Sequence, residues 1–362
     1  MEKFGCVLLK GGKSSRMGGN DKAELLYKGK SFGERIKKEL EQSELPVFVS
    51  EAKKSTDSQV ISDLIPEAGP LGGIYSCLKQ TGLNGLFFVS CDMPLFRFYL
   101  GKRAIEEAEK TADLDAVIWK TRDGRIHPVC GWYSRSCLPE LEKQLLEKNG
   151  KVRDLLGKLQ VKILETEKEH VPDTWFTNVN TPTALSELTN IKPPVFAVSG
   201  KKNTGKTTLT ETLVREFSDR GLKVAVIKHD GHDFIPDVPG TDSYRHKAAG
   251  AYGTVVYSEN RFSLVKEEKD HQAEDFFGYF NDADLILLEG MKDSGYPKIE
   301  VMRWEVSRKS VCRKETIKAY VANFLPEEEP DFDRASLADR PVYGFEDVDA
   351  IMEVVLREAD RF

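Results

Sequence analysis

The chain has 362 residues, of which 40% are hydrophobic and 31% charged, with a formal net charge of −6. That length allows two ordinary domains, and the composition excludes a disordered or low-complexity chain. The negative balance argues against broad binding to nucleic acid or an anionic membrane, so phosphate affinity has to come from local loops.

Cys6–Leu9 is a short apolar run that reads as a buried strand. It feeds into Leu9–Lys22, LKGGKSSRMGGNDK, where Gly11, Gly12, Gly18 and Gly19 stand close together. Glycine admits positive φ and close backbone approach, so amide N–H groups can line an anion site. Lys13, Arg16 and Lys22 add cations able to meet phosphate oxygens. No Gly-Lys-Ser/Thr closes the stretch, so it is not a Walker A loop. A solvated surface turn is the plainer reading of the glycines alone; three cations directly after a strand favour nucleotide phosphates.

Phe32–Leu40 has helical spacing and Val47–Ser50 reads as a strand. Gly69-Pro70-Leu71-Gly72-Gly73-Ile74 then reads as a loop at the carboxyl edge of a parallel sheet, leading into an apolar helix through Leu78. Leu86–Ser90 is an apolar strand running into Cys91-Asp92-Met93-Pro94. A carboxylate at that position suits Mg²⁺ coordination or, equally from local sequence, a turn or helix cap. Ala116–Trp119 and His127–Tyr133 read as strands, with His127 a structural histidine rather than a base. In Phe176–Pro182 (FTNVNTP), Asn178 and Asn180 alternate onto one face of an extended segment.

Asn190–Pro194 (NIKPP) reads as a linker, because paired prolines exclude helix and central strand. Val195–Ser199 is a strand followed by Gly200-Lys201-Lys202-Asn203-Thr204-Gly205-Lys206-Thr207, a complete GxxxxGK[ST]. With a helix predicted over Thr208–Asp219, this is a P-loop in its required context. Its amides would cradle phosphates, Lys206 would reach the β- and γ-groups, and Thr207 would ligate Mg²⁺. Val224–Lys228 is the next strand, followed by His229–Asp233, for which a mobile loop over the phosphates is preferred to a zinc site. Asp284–Leu288 is a buried strand ending at Glu289, placed to hold a metal or a metal-bound water. From about Glu327 the chain is acidic, then closes in an amphipathic helix over Val348–Asp360.

The cysteines at 6, 77, 91, 130, 137 and 312 are dispersed without a CxxC pair. Reduced structural thiols fit that spacing better than a disulfide framework. The N-terminal apolar run is too short for a signal peptide and no segment is long enough to span a bilayer, so a cytoplasmic location is expected.

The loop LKGGKSSRMGGNDKAELL resembles the nucleotide loop of molybdenum cofactor guanylyltransferases, which read Leu-Ala-Gly-Gly, Ser-x-Arg-Met-Gly and Asp-Lys; Lys10 replaces the usual small residue. The resemblance implies a GTP site formed by Leu9, Lys10, Gly11, Gly12, Lys22, Asp63, Gly69, Pro70, Leu71 and Asp92. Asp92 would hold Mg²⁺, Arg16 and Lys22 would act in catalysis, and Asn178 and Asn180 would face the pterin. The second half resembles the molybdopterin-guanine dinucleotide biosynthesis adaptor family. Its Lys-His-Asp-x-His, Pro-Gly-x-Asp-Ser-Tyr-Arg, Ala-Gly-Ala and Glu-Gly-x-Lys elements appear in order, with Thr241 where that family more often has Lys. Gly200, Asn203, Thr204, Gly205, Lys206, Thr207 and Thr208 would form its GTP-binding P-loop, with Thr207 and Glu289 at the metal.

The expectation is therefore a fusion of two three-layer α/β/α domains. The first, over residues 1–190, is nucleotide-diphospho-sugar-transferase-like and Rossmann-like; the second, over 195–362, is a P-loop NTPase. The implied reaction joins GTP to molybdenum-molybdopterin, giving the guanine dinucleotide cofactor and pyrophosphate. The implied partners are molybdenum cofactor biosynthesis proteins and apo-molybdoenzymes, without nucleic acid or membrane; a homo-oligomer is compatible with the sequence. A transferase using CTP or a sugar phosphate, with the second half a non-catalytic binding module, is the alternative.

Overall fold

The computed structural model describes residues 3–10, 22–52, 56–190, 192–230 and 237–359. The chain divides into two compact units, Met1–Ile191 and Lys192–Phe362.

The strands of the first unit are β1 (Phe4–Leu9), β2 (Leu26–Tyr27), β3 (Lys30–Ser31), β4 (Val47–Glu51), β5 (Val60–Ser62), β6 (Gly85–Ser90), β7 (Ala116–Lys120), β8 (Ile126–Ser134) and β9 (Val161–Glu165). Its helices are α1 (Phe32–Leu40), α2 (Gly69–Thr81), α3 (Tyr99–Lys110), α4 (Leu138–Leu146), α5 (Val152–Leu156) and α6 (Pro182–Asn190). Seven strands form one sheet in the order β5-β4-β1-β6-β8-β7-β9. Only β8 runs antiparallel to its neighbours, β6 and β7. β1 is buried along its whole length, as a strand covered on both faces must be. Val7, Leu9, Phe88 and Ile118 pack with residues of α2, α4 and α5. On the other face Trp119 donates its indole N–H to Leu100 O of α3 at 3.2 Å. The three layers place the carboxyl ends of β1, β4, β5 and β6 side by side, the edge at which open α/β sheets bind ligands.

Local chemistry sets the helix starts. Ser31 caps α1 by accepting from Glu34 N while the Glu34 carboxylate accepts from Ser31 N, a reciprocal box. Phe32, Ile36 and Leu40 then fall on one buried stripe. α2 differs from the sequence expectation, because Gly69 and Pro70 already form its first turn instead of a preceding loop. Pro is well suited there, since its missing N–H would have no helical partner. Gly73 lets α2 close on the sheet; a Cβ there would lie 2.9 Å from Ser50 Oγ and 3.0 Å from Leu9 Cδ2.

The second unit has β10 (Val195–Ser199), β11 (Val224–Lys228), β12 (Gly253–Tyr257), β13 (Phe262–Lys266), β14 (Leu285–Glu289), β15 (Lys298–Met302), β16 (Ile317–Ala322) and β17 (Val342–Tyr343). Its helices are α7 (Lys206–Asp219), α8 (Asp242–Ala248), α9 (Glu274–Phe277) and α10 (Val348–Ala359). Six strands form a sheet in the order β11-β14-β10-β15-β16-β17, parallel at every pairing. α7 and α10 pack on β10, and α10 buries Ile351, Met352, Val355 and Leu356, the stripe its amphipathic pattern predicts. Asp360, the predicted last residue of that helix, lies outside the described residues. β12 and β13 form a separate antiparallel hairpin that the sequence reading did not contain. Val255, Val256, Tyr257 and Phe262 on it are exposed. No helix among the described residues is long and apolar enough to cross a membrane, and all six cysteines are buried and in no disulfide.

Candidate functional site

The first candidate site lies at the carboxyl edge of the first sheet. Lys22, Asp92 and Asn180 come together there from three separate segments. Lys22 Nζ donates to Asn180 Oδ1 and stands 3.8 Å from Asp92 Oδ2. Asp92 Oδ1 is buried and has no hydrogen-bond partner among the described residues. An uncompensated carboxylate oxygen beside a cation is what a hard divalent ion would occupy, so the residue fits Mg²⁺. The segment that brings Asn180 in is tied down by Val179, whose N–H donates to Asp92 O at 2.8 Å and whose side chain is buried with Tyr27, Phe32 and Leu188. Asn178 is exposed.

Around this centre the other predicted residues divide into two groups. Asp63 is drawn in, accepting from Ser50 Oγ at 3.3 Å. Burial raises its pKa, and the Ser50 hydrogen bond offsets part of that rise. Lys10 N donates to Ser50 O at 3.0 Å, and its ammonium pairs with Glu51 at 3.2 Å. Both the long side chain and the backbone N–H of Lys10 are thus spent within the sheet edge. Leu9 and Leu71 are both core residues, 3% and 0% exposed. Leu71 therefore cannot present its side chain to a base, a consequence of α2 starting two residues before it. Gly69 and Pro70 remain exposed at the helix start. Gly11, Gly12 and Arg16 lie outside the described residues, as do Lys13, Gly18 and Gly19.

His127 is buried against Phe176, with ring centroids 4.5 Å apart, and its Nε2 is 3.1 Å from Thr121 Oγ1. Burial, helped by the nearby Arg125 charge, pushes its pKa down to about 4. A neutral, packed ring is a structural histidine.

The second candidate site is the loop after β10. Gly205, at φ +98°, caps α7, so the helix begins at Lys206, two residues before the predicted start. Its orphan amides and positive end face the loop. Lys206 Nζ donates to Lys201 O at 2.5 Å, and burial lowers its pKa. Thr207 Oγ1 donates to Glu289 Oε1 at 2.8 Å. Lys228 Nζ lies 3.0 Å from the same carboxylate oxygen. Glu289 is the last residue of β14, one beyond the predicted strand, and is 5% exposed. Ser199 Oγ donates to Gly290 O, which fixes the end of β14 against the P-loop strand. The oxygens of Thr207 and Glu289 are hard donors suited to Mg²⁺. Asn203, Gly205, Lys206, Thr207 and Thr208 line a cavity of ≈ 630 Å³ together with Lys228 and Arg303. Thr204 is fully buried and donates to Lys201 O at 3.0 Å, so it shapes the loop. Gly200 lines a neighbouring cavity of ≈ 1060 Å³. Among the described residues no three His, Cys, Asp or Glu side chains group to hold a metal; His229 is described, while His232 and Asp233 are not.

Sequence reasoning assigned no role to Ser50, Lys228 and Arg303. Lys228 sits in the quoted Lys-His-Asp element, which carried a signal; Ser50 and Arg303 carry none in their own segments.

Residues 6–163 match the MobA-like NTP transferase domain, and residues 195–323 match the family of molybdopterin guanine dinucleotide synthesis protein B. A "Probable molybdenum cofactor guanylyltransferase" of Clostridium perfringens is 34% identical over 200 residues, covering 52% of this chain and 97% of the relative. A "Molybdopterin-guanine dinucleotide biosynthesis adapter protein" of Haemophilus influenzae is 32% identical over 138 residues, 37% of this chain and 78% of the relative. One of Escherichia coli bearing the same name is 39% identical over 115 residues, 30% of this chain and 66% of the relative. The chain therefore belongs, through its first unit, to the molybdenum cofactor guanylyltransferase family of nucleotidyltransferases and, through its second, to the molybdopterin guanine dinucleotide synthesis protein B family.

Proposed function

We propose that the chain makes the molybdopterin guanine dinucleotide cofactor, its first domain (1–190) transferring GMP from GTP to molybdenum-molybdopterin and its second (195–362) binding GTP and assisting delivery. The observation that carries this reading is the meeting of Lys22, Asp92 and Asn180 at the carboxyl edge of a nucleotidyltransferase sheet. In the reaction an oxygen of the pterin's terminal phosphate attacks the α-phosphorus of GTP. A new P–O bond forms, the bond from the α-phosphorus to the bridging oxygen breaks, and pyrophosphate leaves.

The protein's part is positioning and charge neutralisation. Asp92 would hold Mg²⁺, which supplies charge neutralisation across the triphosphate. Lys22, aimed by Asn180, offsets charge developing on the α-phosphate and the leaving group. Arg16 is assigned by motif to the same phosphates, and Gly11 and Gly12 to the base pocket. Asp63 and the exposed start of α2 at Gly69 and Pro70 form the base side, and Asn178 with Asn180 the pterin side. In the second domain Thr207 and Glu289 would share Mg²⁺, with Lys206 on the distal phosphates. The partners follow as cytoplasmic cofactor-synthesis proteins and apo-molybdoenzymes.

The test is incubation with GTP, Mg²⁺ and molybdopterin, followed by chromatography for the dinucleotide. Asp92→Asn should lower turnover at least a hundred-fold with an unchanged circular dichroism spectrum, because an amide is a poor ligand for this ion; the magnitude is on the order of that for losing one transition-state contact. Near-normal turnover of that variant would move the metal elsewhere, and pyrophosphate released from CTP rather than GTP would overturn the base assignment.

A further inference from the structure

The P-loop cavity of the second unit has a metal side and an open side. Thr207, Lys228 and Glu289 stand together toward β14 and β11, so the distal phosphates of a triphosphate point that way. The other neighbour of the P-loop strand is β15. A nucleoside attached to those phosphates therefore leaves over the carboxyl ends of β15, β16 and β17.

Two side chains meet it there. Arg303, the first residue after β15, lines the cavity and is exposed. Its Nη2 comes within 3.7 Å of the point that a Cβ on Gly205 would occupy. Phe345 lies in the turn between β17 and α10 and is half-buried. Its ring atoms Cε1 and Cζ are 3.1 Å from that same point. The missing side chain of Gly205 is thus what admits an aromatic ring beside the P-loop. The turn carrying the ring is held from behind, where Gly344 N donates to Asp347 Oδ2 at 2.8 Å. An aromatic ring and a planar cation next to the same P-loop glycine are the kinds of group that grip a heteroaromatic base. The two residues come from different strand ends, and neither belongs to a motif of the P-loop.

We propose that Phe345 and Arg303 form the nucleoside subsite of the second unit, stacking the base of a purine nucleoside triphosphate whose phosphates sit on the P-loop. The proposal rests on the reading of that loop as a nucleotide site and adds to it the groups that select for a base.

The experiment measures GTP and inorganic tripolyphosphate binding to the full chain by calorimetry. Only the component abolished by Lys206→Ala is assigned to the P-loop, which separates it from GTP bound by the first unit. Phe345→Leu keeps an apolar side chain over Gly205 but removes the ring, and Arg303→Lys keeps the charge but removes the plane. Each should weaken GTP about tenfold, the scale of one lost stacking contact, and leave tripolyphosphate within about twofold. Equal weakening of both ligands would mean that Phe345 only packs the loop, and unchanged GTP affinity would mean that no base reaches it; either result overturns the subsite. Tripolyphosphate binding without any Lys206-dependent preference for GTP also removes the subsite while sparing the phosphate loop. Absence of any Lys206-dependent component removes the P-loop reading itself.

Discussion

Burial decides the behaviour of His127, and the effect can be measured. Its ring titrates at about 4 in the folded chain, against 6.5 for the ordinary side chain. Between those values the unfolded chain binds a proton that the folded chain refuses, so stability rises with pH across that window. The contribution is complete above pH 6.5 and is lost as pH falls toward 4, by up to about 3 kcal/mol for a shift of this size. Carboxylates add their own acid sensitivity, so the readout is a difference between two proteins. His127→Gln should flatten the dependence of urea-unfolding free energy between pH 7 and 4.5 relative to the unaltered chain. Parallel curves for the two would show a ring that protonates freely in the fold. At Lys10, where the resembled family has a small residue, the ammonium is taken by Glu51.

Among the elements, the link from β14 to β15 is gathered around a single buried side chain. It passes Gly290 and Met291, both at positive φ, and returns to the sheet at Lys298, which is 0% exposed. The Lys298 ammonium shares its three N–H groups among Met291 O, Lys292 O, Ser294 O and Ser294 Oγ, at 2.8 to 3.2 Å. Burial pulls its pKa down, and these acceptors replace the lost water. This link lines two cavities that P-loop residues also line, so the lysine supports a wall of the site from within the fold. Lys298→Met leaves the carbonyls without their donor and should destabilise the second unit by about 3 kcal/mol in urea unfolding. A loss below ~1 kcal/mol would mean that water enters and substitutes for the ammonium.

At the scale of the molecule, the two units have separate sheets and separate cores, and each carries its own phosphate site by motif. If they are joined for delivery rather than shared chemistry, a fragment ending at Asn190 should fold and make the dinucleotide at a rate within about twofold of the full chain. Tethering still has a physical purpose, because a short linker holds two modules at an effective concentration on the order of millimolar. Separation should then lower the activation of an apo-molybdoenzyme while sparing the transferase assay. Loss of dinucleotide formation in a folded fragment would make the second unit part of the reaction.

The local sequence by itself determined the features whose physics is local. A strand, a glycine-rich turn and a helix start lie within a dozen residues at the P-loop, so its anion-binding geometry is written there. The same holds for the apolar strand that ends just before Asp92 and for the stripe of α10. The α/β class follows from alternating apolar strands and helical periods. The tertiary structure decided which of these groups meet. Lys22 and Asn180 are 158 positions apart and Thr207 and Glu289 are 82 apart, distances over which no periodicity carries information. Leu71 sits in the core, in a helix that begins at Gly69, which its own segment did not indicate. Arg303 and Phe345 were illegible for the same reason: strand order alone brings their loops beside Gly205, and strand order is set by which apolar faces cover one another, not by any segment's own sequence.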